Sequence, residues 1–140
     1  MSDDQRPVLL FLCVANSARS QMAEGLARAF APASIAVMSA GSKPSHVHPA
    51  SIAALNNVGI DASTHSSKGL DDIPQDRVRW VITLCAEEVC PIFPGDVLKL
   101  HWPMPDPAAI SGTDQLSAFE SVRDQIQAKL TELFAAWPPS

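Results

Sequence analysis

The stretch Val8-Leu9-Leu10-Phe11-Leu12-Cys13-Val14-Ala15-Asn16-Ser17-Ala18-Arg19-Ser20 decides the fold of this 140-residue chain. Its first five residues form a continuous apolar run too short for a helix. Such runs read as strands buried on both faces, as in parallel sheets. Small and turn-forming residues follow. From Ser17 to Ala31 the apolar spacing turns helical: Met22, Ala23, Leu26, Ala27 and Phe30 share one face, and Pro32 ends it. Strand, short polar loop and helix make the opening of an α/β unit.

The same alternation continues outward. Ser34–Ala40 reads as a second strand closed by Gly41, and His48–Val58 as a helix with Pro49 in its first turn and Gly59 past its end. Trp80–Leu84 is a third buried strand. A fourth lies within Asp96–Trp102, ahead of the proline-rich Pro103–Pro107. Thr113–Ala136 is a long amphipathic helix with Leu116, Phe119, Val122, Ile126, Leu130 and Leu133 as its apolar stripe. No linker or repeat interrupts the pattern. It implies one α/β domain over 1–140, residues 1–6 flexible, with a central four-stranded parallel sheet flanked by helices. In such sheets the ligand crevice lies outside the carboxyl ends of the strands. The segments following the strands carry Cys13, Cys85, Cys90 and Asp106, so these residues are expected to converge on one edge.

Composition narrows the partners. A chain 46% apolar and 18% charged is not a disordered polymer, and at this length it can bury a core without disulfides. The longest apolar run, Pro7–Val14, is far short of the ~20 residues of a membrane span. Met1–Pro7 lacks the basic start and apolar stretch of a secretory signal, so a cytoplasmic location is expected. A net charge of −5 argues against nucleic acid, yet backbone N–H groups bind a small anion whatever the net charge. Three cysteines in a reducing compartment are buried, metal-binding or reactive.

Cys13 and Arg19 stand as Cys-x5-Arg between strand and helix. The five intervening residues, Val14, Ala15, Asn16, Ser17 and Ala18, with Arg19 and Ser20 after them, can curl into a nest of inward N–H groups for a tetrahedral oxyanion. The helix N-terminus adds its positive end, and Arg19 adds a planar fork for oxyanion oxygens. The same field favours a thiolate at Cys13. Ser20 is placed to donate its hydroxyl to that sulfur, and Asn16 suits a left-handed turn position.

Cys85 and Cys90 form Cys-x4-Cys, and three readings compete. A transient disulfide needs their Cα atoms within about 7 Å, hence a segment that bends. Inert burial is the second. Zinc is the third, with His46, His48, His65 and His101 supplying imidazoles; but no second close ligand pair exists, so no metal is expected, and His46-Val47-His48 reads as solvent-exposed. Asp106, stiffened between Pro105 and Pro107, is either a general acid held over the anion site or an ordinary turn aspartate.

Cys13 through Ser20, followed by Gln21-Met22-Ala23-Glu24, resembles the phosphate-binding loop of the low-molecular-weight protein tyrosine phosphatase superfamily. Within it the chain is more similar to the three-cysteine, thioredoxin-coupled arsenate reductases. Ser39-Ala40-Gly41, Gly59-Ile60-Asp61, Thr83-Leu84-Cys85, Cys90-Pro91, His101-Trp102 and Asp106-Pro107 match that family in order. The resemblance implies a phosphotyrosine protein phosphatase I-like fold of flavodoxin-like topology. It also implies reduction of arsenate to arsenite in arsenic detoxification, with phosphate or sulfate as substrate analogues and no cofactor. The implied site is Cys13 as nucleophile with Arg19 and Ser20, Asp106 as acid, and a Cys13–Cys85–Cys90 disulfide cascade. Thioredoxin is the implied reductant, with glutaredoxin or another thiol donor left open, and a monomer is expected.

Two departures stand out. The family usually places six residues between its second and third cysteines; this chain has four, among them the acidic Glu87 and Glu88. Some relatives bind potassium through side chains matching Asn16, Glu24 and Ser39, but Lys68 stands where the remaining family carboxylate aligns. Its ammonium is expected to replace the ion and pair with Glu24. A rival reading is a tyrosine phosphatase working through a phosphocysteine, which has no use for Cys85 and Cys90. It would also want aromatics where Ala108-Ala109 follow the acid, and the chain has no tyrosine. A non-enzymatic oxyanion- or metal-responsive binding protein is a third reading.

Overall fold

The structure is a computed structural model that describes residues 4–86 and 90–139. Its elements follow the sequence pattern: β1 (Val8–Cys13), α1 (Arg19–Phe30), β2 (Ala36–Gly41), α2 (Pro49–Asn56), β3 (Val78–Thr83), β4 (Leu98–His101) and α3 (Gln115–Ala135), with short 3-10 turns between them. The four strands form one parallel sheet in the order β2-β1-β3-β4. All six residues of β1 are buried, the physical reason for its unbroken apolar run.

Alternation along the strands separates two cores. Leu9, Phe11 and Ile82 face Met22 and Leu26 of α1, Leu55 of α2, and Phe119, Val122, Ile126 and Leu130 of α3. Val8, Leu10, Leu12 and Val81 face the other way, onto Leu70, Ile73, Phe93 and Val97 from irregular segments. Among the described residues the three α-helices therefore share one face of the sheet.

Two side chains depart from their apolar stripes. Phe30 is 55% exposed: it is the last residue of α1, and that end of the cluster is closed by Ala27 and Ala31. Leu116 is 40% exposed because α3 meets the core only from Phe119 onward, and Leu133 is half-buried. Of the N-terminal lead-in, residues 4–6 are described. Arg6 donates to the Ile35 carbonyl (3.0 Å), its own carbonyl accepts from Arg77 Nε (3.0 Å), and its hydrogen bonds to Asp4 hold that carboxyl far below the usual range.

The registers bring three strand ends to one level. Leu12 lies opposite Ala40 on one side and Thr83 on the other. Cys13, Gly41 and the Leu84-Cys85 step consequently leave the sheet together.

Candidate active site

The loop joining β1 to α1 is held from outside by its own carbonyls. The Val14 carbonyl accepts from the Lys43 N–H (2.9 Å), and that of Ala15 from the Ser45 N–H (3.2 Å) and the Ser67 hydroxyl (2.9 Å). The Asn16 carbonyl accepts from Gln21 Nε2 (3.2 Å), and that of Ser17 from the His48 N–H (3.1 Å) and the Ser51 hydroxyl (2.9 Å). In a trans peptide the C=O and the following N–H point opposite ways. Four carbonyls fixed outward thus turn the N–H groups of Ala15, Asn16, Ser17 and Ala18 toward the loop interior, the geometry of an anion nest. Packing allows this only because residue 41 is glycine: a Cβ there would lie 2.4 Å from the Val14 carbonyl oxygen.

Asn16 is fully buried and sits at φ 49°, the left-handed position expected of it. Its amide donates to Ser20 Oγ (2.8 Å) and Ser39 Oγ (2.9 Å), and its Oδ1 accepts from Gln21 Nε2 (2.9 Å) and the Lys68 N–H (2.8 Å). Ser20 Oγ lies 2.8 Å from Cys13 Sγ. When Cys13 is a thiolate only the hydroxyl can donate across this contact, and Ser20 then stabilises the negative charge on sulfur. Cys13 itself is 2% exposed.

Arg19 gathers the remaining segments. Its guanidinium, 4% exposed, donates to the carbonyls of Met104 (3.1 Å) and Leu84 (3.5 Å). The Leu84 N–H bonds the Leu12 carbonyl (3.0 Å), and the Leu84 carbonyl also accepts from the Met104 N–H (3.1 Å). With Leu12 opposite Thr83 and the Leu84 N–H bonded to the Leu12 carbonyl, Cys13 comes level with Leu84, and Cys85 is the next residue; both cysteines are buried at the ends of adjacent strands. Asp106, two residues past Met104, is exposed; its carboxylate accepts from the Ala108 N–H (3.0 Å) and caps the turn Pro107–Ala109. Cys90 is half-buried and lines a groove of ≈240 Å³ beside β3 and β4. No disulfide links the three cysteines. Glu87 and Glu88 lie outside the described residues.

Beneath the loop, Glu24, Ser39, Asn16 and Lys68 form a single cluster. Lys68 Nζ is 3.3 Å from Glu24 Oε1 and donates to the Ser66 carbonyl (2.8 Å), while Ser39 Oγ donates to Glu24 Oε1 (2.7 Å). Arg28 and His65 approach the other Glu24 oxygen at 3.6 and 3.8 Å. Burial pushes the His65 imidazole below its ordinary value; Glu24 and Asp61 oppose this, Arg28 and Lys68 add to it. His65 Nδ1 contacts Gln21 Oε1 (3.1 Å), which ties the ring to the loop through Asn16.

Sequence reasoning missed the clasp supplied by Lys43, Ser45, His48, Ser51 and Ser67, and the Gln21–His65 link. Gly41 at a strand end was the only signal. The His46-Val47-His48 turn is a partial correction. His46 is exposed, but His48 is half-buried because it caps α2, accepting from the Ala50 N–H (3.0 Å), and packs on Phe119 with ring centroids 4.7 Å apart. Among the described residues no group of three His, Cys, Asp or Glu side chains is arranged to hold a metal ion, and no helix is long and apolar enough to cross a membrane.

A cysteine inside a Cys-x5-Arg anion nest, at the carboxyl edge of a four-stranded parallel sheet, places the chain among thiol-bearing oxyanion-binding α/β proteins. More narrowly, it belongs to the low molecular weight phosphotyrosine protein phosphatase family, matched over residues 8–137. It is 37% identical over 129 residues to an arsenate reductase of Halalkalibacterium halodurans, covering 89% of this chain and 93% of that one. The fold superposes on an arsenate reductase in its phosphate-binding state with TM-score 0.78 at 35% identity, over 92% of this chain and 97% of that one. A thioredoxin-dependent arsenate reductase of Corynebacterium glutamicum matches with TM-score 0.73 at 31% identity, over 96% of this chain and 63% of that one.

Proposed function

We propose that this protein reduces arsenate to arsenite, with Cys13, Cys85 and Cys90 carrying two electrons outward from the anion nest. The observation that supports the reading is that Cys13 and Cys85 are both buried at the ends of adjacent strands, with Arg19 donating to the Leu84 carbonyl between them. Hydrolysis of a phosphocysteine needs no second thiol there.

Arsenate, a tetrahedral oxyanion, sits on the inward N–H groups of the loop with Arg19 across its oxygens. The Cys13 thiolate, supported by Ser20, attacks arsenic, and Asp106 gives up its cap to Ala108 and protonates the departing oxygen as water. The Cys85 thiolate then attacks Cys13 Sγ. The S–As bond breaks with its electron pair on arsenic, giving arsenite and a Cys13–Cys85 disulfide. Cys90 attacks Cys85, releasing the Cys13 thiolate and forming Cys85–Cys90, which a dithiol donor of the thioredoxin type reduces. The chain supplies the sulfur chemistry from its own residues and acts as a monomer in the cytoplasm. Lys68 supplies the positive charge beside Glu24 that potassium provides in some relatives.

The test is arsenate-dependent NADPH oxidation in the presence of thioredoxin and thioredoxin reductase. Wild type turns over, and Cys13→Ser, Cys85→Ser and Cys90→Ser do not. Cys85→Ser and Cys90→Ser retain slow hydrolysis of an aryl phosphate. Absence of arsenate-dependent NADPH oxidation in wild type, with aryl phosphate hydrolysis unaffected by Cys85→Ser and Cys90→Ser, would defeat the reading in favour of a phosphatase.

A further inference from the structure

The groove that holds Cys90 contains a group the cascade has not used. Its floor is the C-terminal half of β3 and β4, and His101 and Lys99 of β4 line it together with Thr83 and Cys90. His101 pairs with Thr83 in the sheet register, two residues before Cys85. Its Nδ1 lies 2.6 Å from Thr83 Oγ1, and that hydroxyl also reaches the Leu100 carbonyl at 3.4 Å. A carbonyl only accepts. In the tautomer protonated at Nδ1, His101 donates to Thr83 Oγ1 while the hydroxyl hydrogen points to the Leu100 carbonyl, and Nε2 keeps its lone pair. The imidazole is thereby oriented as a base in the groove that Cys90 lines.

We propose that His101 is the general base for the last internal exchange, taking the Cys90 thiol proton on Nε2 as the sulfur attacks. This rests on the proposed cascade and deepens it. The Cys90 S–H bond breaks with its proton passing to His101, and the sulfur electron pair forms the bond to Cys85 Sγ. The Cys13–Cys85 bond breaks with its pair on Cys13, where the Ser20 hydroxyl receives the charge. The exchange is redox-neutral, and the imidazolium returns its proton to water. The step needs such a base because only a thiolate attacks a disulfide. The residues between the two cysteines add two carboxylates, Glu87 and Glu88, outside the described residues. Among the described residues that line the groove, Lys99 is the charged group beside His101, and its ammonium favours the developing anion.

An unassisted thiol is only a few per cent thiolate at pH 7, which caps the gain from a base at about thirtyfold. The experiment measures iodoacetamide alkylation of Cys90, followed by peptide mass spectrometry from pH 6 to 9.5, in wild type, His101→Gln and Thr83→Val. In His101→Gln the rate at pH 7 falls roughly tenfold and converges on wild type above pH 9, where thiolate forms unaided. Thr83→Val, which keeps the imidazole and loses its orientation, shows a smaller loss with the same convergence. In acid-quenched single turnovers with arsenate, His101→Gln accumulates the Cys13–Cys85 disulfide at pH 7. Equal alkylation rates at pH 7 overturn the proposal, as does a deficit that persists unchanged at pH 9.5, the mark of a purely structural role. A pH-dependent alkylation gap without any arsenate turnover supports the base and defeats the reductase reading instead.

Discussion

Replacing Gly41 by alanine tests whether the outward clasp positions the anion nest. The new Cβ would meet the Val14 carbonyl oxygen at 2.4 Å, the Asn16 nitrogen at 2.8 Å and the Cys13 carbonyl oxygen at 3.0 Å, all backbone atoms of the loop. Ordinary contact begins near 3.4 Å, so the loop must recede by roughly 1 Å. It cannot do so freely. The Gly41 N–H is bonded to the Lys68 carbonyl (2.9 Å), and the Val14 carbonyl to the Lys43 N–H (2.9 Å). Overpacking of this kind costs about 1–3 kcal/mol of stability. A misplacement near 1 Å in a catalytic loop costs about 10²-fold in rate, or about 2.7 kcal/mol of transition-state stabilisation. The assay is kcat/KM for arsenate in the thioredoxin-coupled system, beside urea unfolding of the same preparations. Gly59→Ala is the control. It places a side chain at φ 82° with nothing within 4 Å, so it loses about 1–2 kcal/mol of stability while kcat/KM is unchanged. A folded Gly41→Ala protein whose kcat/KM stays within threefold of wild type would refute the steric argument.

Arg19→Lys loses the planar fork, whose Nη1 donates to both the Leu84 and Met104 carbonyls, and kcat/KM for arsenate is expected to fall at least about 10²-fold; retained activity would show that a point charge suffices. Wild-type activity is expected to be equal in potassium and sodium buffers, and Lys68→Ala to acquire potassium dependence. Strong potassium dependence in wild type, unchanged by the substitution, would remove Lys68 from its assigned role. Burial holds the folded His65 imidazole below its ordinary value of 6.5, so as pH falls through that range the unfolded chain binds more protons and stability decreases. The urea midpoint should therefore drop between pH 7 and 5.5, and His65→Gln should flatten that slope. An unaltered slope would place the acid sensitivity elsewhere.

The first strand was legible because burial on both faces leaves a run of apolar residues that needs no tertiary knowledge to read, Val8–Leu12. The limits of apolar stripes were not. Helical spacing puts Phe30 and Leu116 on buried faces but does not record where neighbouring elements stop, and both are exposed. The loop chemistry divides the same way. Cys13, Asn16, Arg19 and Ser20 are written in residue types that carry their own chemistry: a nucleophile, a left-handed turn former, a planar cation and a hydroxyl. Their partners at Lys43, Ser45 and His48 act through backbone N–H groups, which every residue but proline possesses, so no residue type marks them.

The sequence alone determined an α/β sheet with Cys13 ending one strand and Cys85 just past another, because strand burial and loop position are local properties of the chain. Only the tertiary structure decided that the loop carbonyls would be held outward, that Arg19 would tie Leu84 to Met104, and that His101 would share a groove with Cys90. Those contacts join residues tens of positions apart, and their existence depends on strand order and register.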